Sequence, residues 1–217
     1  MNTEQARFNM IEQQIRPWDV LDDGVLRLLA VVKREDFVPA AFKPLAFVDT
    51  EVPLPEGECM LAPRVEARLL QELKVARHEK VLEVGTGSGF MAALLAHKAR
   101  QVHTIEIHPA LAELAQQNLK RAAVHNVQVH TADGAGGLPS DAPFDAILLS
   151  GSVAEIPSEL LQQLKVGGRL AAIVGTEPVM RAVLVRRTGE AAFERTALFD
   201  TVAARLHGFA EPTRFKF

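Results

Sequence analysis

From Lys80 to Gly175 short apolar runs alternate with helix-period runs, and that rhythm restricts the possible folds more than any other feature of the chain. KVLEV, VHTIEI, VQVHT, FDAILLS and RLAAIVG are short and rich in branched apolar residues, as strands buried on both faces are. Helical patterns follow the first two, through MAALLAHKA and from Pro109 to about Ala123. Parallel neighbours need crossovers, so this alternation implies a doubly wound α/β sheet with helices on both faces. The rhythm breaks near the end of the chain. AVLVRR and AFERTALF are separated by the turn residues Thr188-Gly189-Glu190, a hairpin signal that makes at least one terminal strand antiparallel. The expected architecture is a mostly parallel, seven-stranded sheet with an antiparallel C-terminal hairpin.

Upstream of the alternation, Ile11, Ile15, Val25, Leu28, Leu29 and Val32 recur at helical intervals, interrupted at Pro17 and at Asp22-Asp23-Gly24. Two or three short helices are expected there. The Pro-rich stretch from Pro39 to Pro63 has no period and reads as an ordered connection. Pro63 then opens RVEARLLQELKV, in which Val65, Leu69, Leu70 and Leu73 share one helix face. At 217 residues and 48% hydrophobic, the chain suits a single domain over 1–217, with a helical addition and active-site segment over 1–63 and an α/β core over 64–217. A net charge of -3 leaves no electrostatic footprint for nucleic acid. The single cysteine excludes an internal disulfide, MNTEQARFNM lacks the features of a signal peptide, and no apolar run is long enough for a membrane span. A reducing cytoplasm is the expected setting.

The stretch VLEVGTGSGF ends a strand at Glu83 and Val84 and then lays down Gly85, Thr86, Gly87, Ser88 and Gly89. A dinucleotide fingerprint would carry its third glycine at the position of Phe90, and a P-loop would carry a Lys after its last glycine. Neither condition is met. Glu106, followed by Ile107, ends the second strand about 20 residues beyond the turn, where a carboxylate can accept both hydroxyls of a ribose. Asp133 and Gly134 follow the third strand; Asp133 can accept from an adenine amino group, and Gly134 lets the backbone come close. Singly, these features also suit a tight turn, a solvated strand end and an Asp-Gly turn. Together they describe an adenosine site without phosphate demands, and S-adenosyl-L-methionine has that description.

Other groups carry less information. His103 and His108 flank Glu106 with a spacing that fits no common metal motif, so no metal is expected. Cys59 reads as a small buried hydrophobe, Trp18 as a packing residue or substrate wall, and Ser150 and Ser152 as loop caps that a substrate could also reach.

VLEVGTGSGF, VHTIEI, and FDAILLSGSVAEIP paired with LLQQLKVGGRLAAIVG resemble the motifs of the class I S-adenosylmethionine-dependent methyltransferases, whose sheet is Rossmann-like. NMIEQQI, KREDFVP and FVDTEVPLPEG narrow the resemblance to the protein-L-isoaspartate O-methyltransferases, over roughly residues 7 to 176. The resemblance implies a monomeric enzyme that esterifies isoaspartyl residues of damaged proteins as a first step of repair. It also places the acceptor beside Met60, Leu61 and Ala62. Two departures stand out. The family's Gln-Thr-Ile-Ser type motif corresponds to GECMLAP, which reads as shorter and holds neither Ser nor Thr, and the ending LHGFAEPTRFKF is not the family's. A small-molecule acceptor, or a noncatalytic S-adenosylmethionine-binding protein, are the alternatives these departures leave open. A carboxylate acceptor needs no general base, because with a pKa of about 4 it is already ionised at neutral pH.

Overall fold

The computed structural model describes residues 2–211. The last six residues of LHGFAEPTRFKF therefore lie outside the described part. Strands β3 (Lys80–Val84), β4 (Gln101–Glu106), β5 (Val127–Thr131), β6 (Phe144–Val153), β7 (Leu164–Thr176), β8 (Val179–Arg187) and β9 (Phe193–Asp200) form one seven-stranded sheet in the order β5-β4-β3-β6-β7-β8-β9. Every pairing from β5 across to β7 is parallel. β7 with β8 and β8 with β9 are antiparallel, so β8 alone runs against the rest. The expected hairpin is closed at its tip by Thr188 N donating to Ala192 O at 2.8 Å.

The strands alternate their side chains between two cores. Val81, Val102, Ala146 and Leu148 pack under α2 (Asp23–Val31), α3 (Pro63–Leu73), α4 (Phe90–Lys98) and α5 (Pro109–Arg121) through Leu26, Leu70, Leu94 and Leu119. Leu82, Ile105, Ile147 and Leu170 face the other way, onto Leu160 of the short helix α6 (Ser158–Gln162) and onto loop residues such as Leu138. Helices thus cover both faces, but the second face is mostly closed by loops.

In the N-terminal region α1 (Thr3–Met10) continues into a π turn over Ile11–Ile15 and a 3-10 turn over Arg16–Trp18. Pro17 and the left-handed Asp19 end that run, and Asp22 caps α2 by accepting from Val25 N at 2.9 Å. The stretch from Pro39 to Pro63 is an ordered connection built of 3-10 turns, with one small ladder between β1 (Val52–Pro53) and β2 (Cys59–Met60). α3 buries its expected face and, in addition, Glu66, which pairs with the equally buried Arg34. A second buried pair ties the sheet to α3: the Arg169 guanidinium forks onto both oxygens of Glu79 at 2.6 and 2.7 Å and donates to Leu73 O at 2.6 Å.

Candidate active site

Sheet order reverses between β3 and β6, since the chain runs outward through β4 and β5 before returning to β6. Ligands in such sheets bind outside the carboxyl ends of the strands at that switch. A cleft opens there. Its floor is the turn after β3, where Gly87 (φ +53) takes a left-handed conformation that L side chains rarely adopt. Glu106 at the end of β4 holds this turn: Gly87 N donates to Oε2 at 2.8 Å and His108 N to Oε1 at 3.1 Å. The carboxylate lines the cleft and keeps lone pairs for a ligand. Val84, Ile105, Leu111 and Ile107 supply apolar walls, and Ile107 is 37% exposed. At Gly134 a Cβ would stand 2.4 Å from Val84 Cγ1, so only a bare backbone fits between the third strand end and the cleft. This acid, flat apolar walls and stripped backbone fit an adenosine with its ribose. Asp133 stands at the exposed rim, where its Oδ1 accepts from Ala135 N at 2.9 Å and its carboxylate lies against Gly208.

An adjoining hollow shares Cys59, Gly85, Gly87 and Ser150 with the cleft and reaches Met60, Leu61, Ser88 and Phe90. At its base lies Glu83, fully buried, accepting from Ser150 Oγ and Thr104 Oγ1, each at 2.7 Å. Burial pushes its carboxyl up to about 8, against the pull of those two hydroxyls. Glu66, also on this hollow, is pushed up to about 7 by burial while Arg34 draws it down. Burial, then Glu51, Glu58 and Glu66, push the Cys59 thiol up to about 12, so it stays protonated.

Of the acceptor-side residues expected from sequence, Met60, Leu61 and Ser150 reach this space. Ala62 and Ser152 do not. Ala62 caps α3 and borders a separate surface hollow with Asp49 and Arg64. Ser152 is fully buried, its Oγ donating to Ala203 O at 2.9 Å. Trp18 lies away from the cleft, with the Arg64 guanidinium 3.9 Å over its ring and Phe199 edge-on. His103 is buried against His130, and burial lowers its pKa.

Residues of the C-terminal segment went unread in the sequence. Ser152 N donates to Ala204 O at 2.7 Å and Leu206 N to Ser152 O at 2.9 Å, which lays this segment along the end of β6. Leu206 and His207 then close one wall of the cleft. LHGFAE has neither period nor motif, and only the backbone ladder to Ser152 reveals its place.

The model of the protein-L-isoaspartate(D-aspartate) O-methyltransferase family matches residues 5–203. The chain belongs to this family. A protein-L-isoaspartate O-methyltransferase of Koribacter versatilis is 42% identical over 194 residues, covering 89% of this chain and 87% of the relative. One of Methanoculleus marisnigri is 40% identical over 186 residues, 85% of this chain and 84% of the relative. Among solved structures, a Plasmodium falciparum chain described as a protein-L-isoaspartate O-methyltransferase, in complex with S-adenosyl-L-homocysteine, superposes with a TM-score of 0.81 at 20% identity, over 95% of this chain and 98% of that one. A second protein-L-isoaspartate O-methyltransferase gives 0.79 at 21% identity, over 95% and 66%. Both bear out the fold expected from the alternation. The family match stops at residue 203, just before the segment that carries Leu206 and His207.

Proposed function

We propose that the chain is an S-adenosylmethionine-dependent carboxyl O-methyltransferase that esterifies L-isoaspartyl residues of damaged proteins. Family membership over residues 5–203 supports this, and the Glu106-glycine cleft is the observation that carries the cofactor assignment. When bound, S-adenosylmethionine supplies an electrophilic methyl group on a sulfonium. Glu106 would accept the ribose hydroxyls through the lone pairs that Gly87 and His108 leave unused. Val84, Ile105 and Ile107 would flank the adenine, and Asp133 would meet its amino group through the oxygen not given to Ala135.

The acceptor is anionic, so the hollow beside Glu83 must not repel it. A carboxyl with its pKa near 8 is neutral at pH 7 and meets that condition. Ser88 and Ser150 bring hydroxyls to the hollow that the GECMLAP loop does not. Met60, Leu61 and Phe90 exclude water there, which strips the nucleophile and strengthens any hydrogen bond it keeps.

The test is the initial rate of labelled methyl transfer to an isoaspartyl peptide and to its aspartyl twin. Preference for the isoaspartyl form is expected. Equal or absent transfer to both, with transfer to small molecules of a cell extract, would move the acceptor to a metabolite.

A further inference from the structure

We propose that Glu58, His108 and His207 form a binding site for a divalent transition-metal cation, zinc above all, which fastens the C-terminal segment over the mouth of the cleft. His108 Nε2 stands 3.2 Å and His207 Nε2 2.9 Å from the same Glu58 oxygen. One ligand atom from each of the three residues falls within 4.8 Å of the other two. Tetrahedral zinc with bonds of about 2.0 to 2.1 Å holds neighbouring donors a little over 3 Å apart, so the side chains are already near coordinating positions. The two imidazoles meet edge to face rather than stacking, with centroids 5.5 Å apart, while both Nε2 atoms stand near the one Glu58 oxygen.

The donor set selects the ion. Two imidazole nitrogens and one carboxylate suit zinc, cobalt or nickel, whereas magnesium and calcium favour oxygen alone. Among the described residues no Lys or Arg pairs with Glu58, so its charge is left to the two imidazoles. Coordination requires both imidazoles in the tautomer with the proton on Nδ1, which turns the two Nε2 lone pairs toward Glu58. Exposed His207 leaves a path for entry.

Each ligand comes from a different part of the chain. Glu58 belongs to the GECMLAP loop, His108 follows β4 and precedes α5, and His207 belongs to the segment beyond the family match. One ion would therefore join the acceptor loop, the ribose-binding strand end and the C-terminal segment. Leu206, adjacent to the third ligand, already lies against Gly85 and Gly151. Binding would hold it there.

The experiment titrates the full chain, free of metal, with zinc chloride alone in a calorimeter. One ion per chain is expected, weakened at least tenfold by His207→Asn and by Glu58→Gln. The His207 side chain is 60% exposed, so its variant should fold normally, and circular dichroism checks this. Cobalt(II) loaded in place of zinc should give the intense visible bands of a four-coordinate ion without a thiolate charge-transfer band, and Cys59→Ser should leave that spectrum unchanged. Absence of binding, binding of full strength in folded His207→Asn, or a thiolate band lost in Cys59→Ser would each overturn the assignment.

Discussion

Glu106 does two tasks with one carboxylate, since it holds the glycine turn through Gly87 N and His108 N and faces the cleft with what remains. Glu106→Gln places an amide donor against one of two backbone donors and removes the charge. A charge-assisted hydrogen bond contributes about 1.5 to 3 kcal/mol, so affinity for S-adenosylmethionine should fall tenfold or more, and calorimetry on the folded variant checks it. Unchanged affinity would take Glu106 out of the site. Glu83 predicts a pH effect. Its folded pKa of about 8 lies above that of an unfolded glutamate, so its contribution is complete below the unfolded value and is lost as pH rises toward 8. Thermal melts between pH 5 and 8 should therefore decline at most by about 1.4 kcal/mol per pH unit from this group, and Glu83→Gln should flatten the decline. Melts of the variant that track wild type across that range would show that Glu83 is ionised throughout. The acceptor loop gives a paired prediction. Cys59→Ser puts a stronger donor on the hollow and should hold or raise the isoaspartyl initial rate, whereas Ala62→Ser, which points to another surface, should leave it unchanged. A gain from Ala62→Ser and none from Cys59→Ser would reverse this placement. That Glu106 and the glycines would meet at one edge of the sheet was legible because each lies at the end of a strand whose place the alternation sets. Ala62 and Ser152 were not, because which way a loop or bulged strand turns a side chain depends on partners far along the chain.

At the scale of elements, the seven strands and helices α4 and α5 were readable because short apolar runs alternate there with helix-period runs, whereas the short α6 was not, and the structure lengthens β6 and β7 beyond the apolar runs without moving them. What was not readable is how those elements are pinned. Arg169 looks like one more charge in RLAAIVG, yet it is 7% exposed and binds Glu79, Leu73 O and Asp145 O, joining β7 to the end of α3 and to β6. Burial alone would raise the Glu79 pKa, but the bond from Arg169 and the amide of Ala76 hold it below the usual range. Arg169→Ala leaves the Glu79 carboxylate without its countercharge, held by the Ala76 amide alone. Removing one member of a buried pair costs about 3 to 5 kcal/mol, and Arg169→Lys should recover only part of this because a single ammonium cannot match the fork. Denaturant midpoints measure both. A cost within the range of surface substitutions, about 0.5 kcal/mol, would show that Glu79 reaches solvent when its partner is gone.

For the molecule as a whole, the cleft is completed by a segment that no period announces. Its position rests on a short ladder to Ser152 and on Leu206 lying against Gly85 and Gly151, where the bare backbone gives it room. Leu206 lines the cleft, so a ligand that fills it to this wall couples to the ladder. Segments held by few contacts open at low free-energy cost, and a ligand that binds only the closed form raises that cost by mass action. S-adenosyl-L-homocysteine at 100 times its dissociation constant should thus slow hydrogen exchange of the Ser152 and Leu206 amides by about 100-fold where exchange runs through opening of this segment. Amides paired between β8 and β9, remote from the cleft, should slow only where global unfolding governs them. Equal slowing at both places would mean that the ligand stabilises the fold without closing the segment, and no slowing at Leu206 would place the ligand away from it. The expected pattern makes the C-terminal segment the moving wall of a site whose floor and Glu106 are fixed by the sheet, which is why the floor could be read from local sequence and the wall could not.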